Sequence, residues 1–239
     1  MKAIFSIFIM LLSVTSSFAQ TKSNRNVQLL DLSGSIGSGQ GSIAASFIHN
    51  WHLGKKQKFS IGAGARFTSY FGSDQYFVTA PAKITSGSAG PGVLFQENIP
   101  ANLDSLLVAS PSMNALNLSI NLGYRITPKL TAGFNIDAIG FTFGGEKAVK
   151  YINGTTTVNT TAKPTGFNAL LVSDNDLGTL NSELFATYAF NKKWSAKIGY
   201  QFLFTEYTTA TKVQQLPEPN DRFRNKVSAV VLGVRYQIQ

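Results

Sequence analysis

LNLSINLGYRI-TPK-LTAGFNIDAIGFTF, Leu116 to Phe143, is the stretch that decides the fold of this chain. In its first part Leu116, Leu118, Ile120, Leu122, Tyr124 and Ile126 alternate with Asn117, Ser119, Asn121, Gly123 and Arg125. In its second part Leu130, Ala132, Phe134, Ile136 and Ala138 alternate with Thr131, Gly133, Asn135 and Asp137. Side chains of an extended chain point to opposite sides at successive residues, so each part is a strand with one apolar and one polar face. With Thr127-Pro128-Lys129 as a three-residue hairpin loop, Ile126 faces Leu130, Leu122 faces Phe134 and Ile120 faces Ile136. The polar pairs are Asn121 with Asn135, Gly123 with Gly133 and Ser119 with Asp137. A slip of one residue would mix the faces, so the pattern fixes the register. The apolar face must meet either a second sheet or lipid.

The opening of the chain bears on that choice. Met1 and Lys2 precede an apolar run from Ala3 to Val14, and Ser17-Phe18-Ala19 follows as a small-residue cleavage pattern. Residues 1–19 are expected to be a secretory signal peptide, because the run is shorter than the roughly 20 residues of a spanning helix. Residues 20–239 then form one domain. The chain has no cysteine, which excludes disulfides, thiolate metal sites and a Cys-linked lipid anchor. Charged residues make up 14% of the sequence, against ~25% in an average soluble domain. Aromatic residues reach 12%, with 18 Phe and 8 Tyr. The net charge of +9 does not mark a nucleic-acid face, because many lysines sit in short turns (Lys55, Lys56, Lys58; Lys192, Lys193).

Six further segments alternate, beginning with Val27 to Ile36, where Leu30, Leu32 and Ile36 share a face more loosely. The others are Ser42 to Leu53, Phe59 to Phe71, Leu180 to Phe190, Trp194 to Phe204 and Val230 to Ile238. With the opening hairpin this predicts eight antiparallel strands. Short polar connections (Gly54 to Lys58, Thr127 to Lys129, Asn191 to Lys193) alternate with long ones (Gly72 to Met113, Gly144 to Gly178, Thr208 to Arg224). Gly37 to Gly41 is the short exception on the long-loop side. Short turns at one end, long loops at the other and an apolar outward face are the pattern of an all-β, up-and-down transmembrane β-barrel. Trp51, Phe59, Tyr124, Tyr188, Phe190, Trp194 and Tyr236 fall near the short turns on the apolar face, as an aromatic girdle does at a membrane interface.

An eight-stranded bore is only wide enough to be filled by side chains. Arg66, Asp137 and Glu183 lie on the polar face at matched depths from their short turns, so an internal charge network among them is expected. Lys197, Arg125 and Arg235 are expected nearer the short-turn mouth. In the long loops, Lys147 to Ile152, Asn153-Gly154 and Thr155 to Thr160 carry the signature of a type I′ hairpin. Asn102 to Val108 is expected to form at least one helical turn. A loop as long as Gly72 to Met113 either meets a ligand or partner, or acts as a lid that plugs the barrel.

These residues resemble the outer-membrane β-barrel proteins of Gram-negative bacteria, and among them the small class similar to the transmembrane domain of outer membrane protein A. The resemblance spans Val27 to Gln239 as a pattern of strands and loops. Its most specific piece is Gly233-Val234-Arg235-Tyr236-Gln237-Ile238, which looks like the terminal signal read by the barrel-assembly machinery. The chain departs from it in ending on Gln239 and in carrying Val231 at a place usually polar. The resemblance implies a cell outer membrane location and contact with outer-membrane lipid. It also implies the assembly machinery as a partner through the C-terminal strand, and no single activity.

The chemistry-bearing residues are few. His49 falls on the apolar face opposite Ala63, while His52 and Ser60 both face inward, so no membrane-facing Ser–His pair forms and no enzyme is expected. Their spacing sends the two imidazoles to opposite faces, so no metal site is expected. Gly34, Gly37, Gly39 and Gly41 lack the following helix a phosphate loop needs, and no cofactor is expected. The expected role is structural or surface-interacting, through long outer loops that meet an unknown extracellular ligand or partner. The protein is expected to be a monomer without nucleic acid. The alternatives are a small channel or transporter for hydrophobic compounds, an outer-membrane lipid-modifying hydrolase, and a soluble exported β-sandwich.

Overall fold

The computed structural model describes residues 25–88, 90–154 and 156–238. The expected signal peptide and Gln239 lie outside the described residues. The strands are β1 (Asn26–Gly37), β2 (Gln40–Leu53), β3 (Phe59–Gly72), β4 (Gln75–Thr79), β5 (Ser105–Val108), β6 (Ser112–Arg125) and β7 (Leu130–Phe143). There follow β8 (Lys147–Asn153), β9 (Thr156–Pro164), β10 (Phe167–Ala169), β11 (Leu180–Ala189), β12 (Trp194–Thr209) and β13 (Arg222–Gln237). All thirteen belong to one antiparallel sheet, where the sequence led to an expectation of eight. The eight expected segments are the long ones, and their pairings run β1–β2–β3–β6–β7–β11–β12–β13 and return to β1. They close into a ring.

The five short strands lie in the long connections, where the residues signalled only the β8–β9 hairpin. Four of them build a second cycle on the ends of β12 and β13, in the order β12–β9–β8–β5–β4–β13. Tyr207 to Thr209 of β12 pair with β9, and Phe223 and Arg224 of β13 pair with β4. β10 continues the pairing along β7 beyond the end of β11. An apolar cluster fills the junction of the two cycles. It joins Tyr70, Met113, Leu203 and Val227 of the first ring to Phe77, Leu106, Val149 and Tyr151 of the second.

Side-chain oxygens shape the short turns. Thr127 Oγ1 accepts from the backbone N–H groups of Lys129 and Leu130, at 3.2 and 3.0 Å. Asn191 Oδ1 does the same for Lys193 and Trp194, at 2.8 Å each. These bonds mimic a backbone turn and explain why Thr and Asn open the two loops.

Three local expectations are corrected. The β6–β7 register holds from Arg125–Thr131 to Ser119–Asp137 and then shifts, so that Leu118 pairs with Ile139 and Leu116 with Phe141. Ala138 is the extra residue of a β-bulge. The bulge reverses the parity of the strand and turns Ile139, Phe141 and Phe143 outward, where they are exposed. The β8–β9 turn lies one residue later than the Asn-Gly signal implied: Asn153 pairs with Thr156, and Gly154 takes the positive φ of +54°. Within Asn102 to Val108, Ser105–Val108 is strand β5 and not helix; Pro100–Asn102 supplies one 3-10 turn. Leu106 and Val108 are wholly buried on one face, as a half-buried strand requires.

Candidate functional site

The first ring is apolar outside and polar inside. Leu30, Leu32, Phe47, Ile61, Leu118, Leu122, Leu184, Ile198, Phe202 and Leu232 are exposed on its outer face. Ser33, Ser42, Thr68, Asn117, Asn135, Asn181 and Gln201 are buried on its inner face. A water-soluble sheet protein has the reverse arrangement.

Ions fill the middle of the bore. Arg66 of β3, only 2% exposed, donates from Nε and Nη2 to Asp137 Oδ1 of β7 at 2.9 and 2.6 Å. Its Nη1 donates to Asn135 Oδ1 at 2.6 Å and lies 3.6 Å from Glu183 Oε1. The other Asp137 oxygen accepts from Asn117 Nδ2 at 2.8 Å and from the backbone N–H of Asn181 at 3.0 Å. Lys197 Nζ bridges Glu183 Oε2 at 3.0 Å and Asp31 Oδ1 at 2.6 Å. Arg235 Nε donates to Asp31 Oδ2 at 2.5 Å. Arg66, Lys197 and Arg235 thus meet Asp31, Asp137 and Glu183, three cations and three anions in one connected set. Neutrality and hydrogen bonding are what a desolvated charge cluster requires.

The structure therefore brings Arg66, Asp137, Glu183, Lys197 and Arg235 together. Arg125 stays apart at the short-turn mouth, where Nη2 donates to the Gln57 carbonyl at 2.7 Å. Asp31 escaped the sequence reading, although the signal was present. It stands between Leu30 and Leu32, so period two sends it inward as soon as that loosely patterned segment is read as a strand.

Phe185 closes the bore on the short-turn side of the ions. Its ring occupies the space that a side chain at Gly133 would take, and the Arg235 guanidinium lies 4.1 Å from its centroid. On the long-loop side Gln201 bonds Ser42, and Tyr70 and Asn225 both bond Gln40. The apolar junction cluster covers them.

Outside the ring, the long-loop end of β12 and β13 carries a second ion cluster. Glu206 accepts from Arg222 at 2.8 and 2.9 Å and from Arg224 at 2.9 Å. The Asp176 carbonyl accepts from both arginines, and Lys226 pairs with Asp174 at 2.6 Å. These contacts hold the Ser173–Asp176 segment against the wall. Burial raises the Asp176 carboxyl above its ordinary range. In the second cycle the Tyr151 hydroxyl donates to Asp104 Oδ2 at 2.5 Å. Burial, with the Asp104 carboxylate beside it, pushes the Tyr151 phenol up to about 12.

The girdle residues Trp51, Phe59, Tyr124, Tyr188, Phe190 and Trp194 are exposed on the outer face near the short turns, and Tyr236 is half-buried against Trp194 at 4.8 Å. Phe59 and Tyr124 meet edge to face at 5.1 Å. His49 pairs across the strands with Ala63 and lies 4.7 Å from Trp51; His52 pairs with Ser60.

No family model matches the chain, and no curated protein matches it. The solved structures it is similar to include outer-membrane β-barrel proteins. With Neisserial surface protein A the identity is 8% and the TM-score 0.37, over 91% of this chain and 99% of that one. With the N-terminal β-barrel domain of Pseudomonas aeruginosa OprF the identity is 10% and the TM-score 0.37, over 90% and 98%. With Ail, the attachment invasion locus protein of Yersinia pestis, solved in complex with the heparin analogue sucrose octasulfate, the identity is 8% and the TM-score 0.37, over 90% and 100%.

Proposed function

We propose that the chain is an eight-stranded transmembrane β-barrel of the cell outer membrane, with a non-enzymatic role in envelope structure or surface interaction. The observation that carries this reading is the inverted ring: exposed aliphatic and aromatic side chains outside, a closed ion network inside. From Trp194 to Phe204 the outward positions of β12 are Trp, Ala, Ile, Tyr, Phe and Phe. Ten residue steps at ~3.3 Å, tilted by ~40°, span about 25 Å, the height of a lipid-facing band. The Trp and Tyr girdle then sits at the periplasmic interface and TPK in the periplasm.

A structural or interaction role is favoured over a diffusion pore because the bore is occupied by the six-ion cluster, Phe185 and the apolar junction. The second cycle gives the outer loops a hydrophobic core of their own, so they form a built platform at the surface. Contact with an extracellular ligand or partner is assigned to that platform, and the barrel itself is taken as a monomer assembled through its C-terminal strand. One observation favours a carrier of hydrophobic compounds instead. An apolar groove of about 570 Å³ runs down the outer wall, lined by Leu30, Leu32, Phe47, Trp194, Val234 and Tyr236.

Carbonate washing of membranes tests the location, and heat-modifiable migration on a denaturing gel tests the barrel. Retention in the membrane with a folded, faster-migrating form is expected; release by carbonate would overturn the reading. Single-channel conductance and liposome swelling then separate the roles. Silence in both is expected of a filled barrel, and a steady conductance would make it a channel.

A further inference from the structure

At the short-turn end the ring opens into a blind vestibule of about 490 Å³. Phe185 is its floor, with Arg235 stacked on the ring. Its walls carry Arg125, Lys129, Lys192 and Lys193, and no Asp or Glu lines it among the described residues. The ion cluster beneath is neutral, three against three, and leaves the mouth cations without internal compensation. A concave, low-dielectric wall bearing one sign of charge focuses the field and concentrates counter-ions. The remaining lining is rich in amides and hydroxyls, among them Asn50, Ser60, Asn121 and Thr187. Asn121, 5% exposed, has an Oδ1 with no hydrogen-bond partner among the described residues, an acceptor left for a donor on a guest.

We propose that this vestibule is a binding site for a small hydroxylated polyanion, bearing carboxylates or phosphates. The volume is that of a small-molecule site, and the closed floor excludes a guest that threads through. Cations at the rim hold the charged groups, while Asn121 accepts from a hydroxyl deeper in. The site rests on the cavity and its charge and is independent of the role of the outer loops, so either can fail without the other.

Titration calorimetry on the full chain in detergent micelles tests it, with citrate and inorganic pyrophosphate as probes. Two variants remove equal charge: Lys129→Gln/Lys192→Gln at the vestibule, and Lys147→Gln/Lys150→Gln at the far hairpin. All four lysines are in turns or outer strands, and heat-modifiable migration verifies folding of each variant. Saturable binding of either probe by the unaltered chain is expected, weakened about tenfold in the vestibule variant and unchanged in the far one. It should also fall as salt rises from about 0.1 M to about 1 M, because the Debye length shrinks to ~3 Å. Absence of binding, equal weakening in both variants, or indifference to salt would overturn the proposal.

Discussion

Arg66 and Asp137, 71 residues apart, meet in the centre of the ring with two guanidinium nitrogens on one carboxylate oxygen, at 2.9 and 2.6 Å. Removing one partner of such a buried pair strands the other charge and costs about 3–5 kcal/mol. Arg66→Ala is therefore expected to lower the urea unfolding midpoint strongly in lipid vesicles. The double change Arg66→Met with Asp137→Leu should be milder than the sum of its singles, and simple additivity would show that the pair is not coupled.

Asp31 divides its two oxygens between Lys197 and Arg235, linking β1 to β12 and β13 at the seam where the ring closes. Asp31→Asn leaves Lys197 with Glu183 alone and takes from Arg235 its carboxylate partner. The expected loss is of the same order, about 3–5 kcal/mol, and it should be accompanied by slower appearance of the folded gel form during refolding. An unaltered midpoint would mean that the seam is held by its backbone ladder alone.

Gly133 and Phe185 exchange volume. A methyl at Gly133 would strike the Phe185 ring, so Gly133→Ala is expected to cost about 1–3 kcal/mol, as overpacking does. In a Phe185→Leu background the same change should cost much less. A double-mutant cycle by chemical unfolding reads the difference directly.

Tyr151 ties the second cycle to Asp104. Its phenol is held neutral up to about 12, against about 10 in an unfolded chain. The sign follows: stability from this group is fully present below pH 10 and is lost as pH rises through about 12. Absorbance titration at alkaline pH, followed by limited proteolysis of the outer loops, should show them opening in that window. Tyr151→Phe should open them at lower denaturant, by about 1–3 kcal/mol, because Asp104 loses its buried donor.

Much of this was legible in the residues themselves. Inside and outside alternate with each residue, so LNLSINLGYRI alone places Asn117 and Asn121 in the bore and Leu118 and Leu122 on the wall. Turn chemistry is equally local, which is why Thr127 and Asn191 mark their loops. Phe185 and Ile48 were less legible: each is a buried apolar side chain on an otherwise polar face. Only packing across the bore explains them.

What the sequence by itself determined is therefore parity: which residues share a face, which segments pair as hairpins, and which end carries the short turns. Tertiary structure decided azimuth and height. The stagger of the strands around the ring sets which inner charges meet, so that Asp31 and not Arg125 completes the ion cluster. It also decided that pieces of two long loops pair with the ends of β12 and β13. Period two is fixed by the chain's own geometry. Closure of a ring depends on contacts between strands far apart in sequence, such as β1 with β13, and no local pattern encodes them.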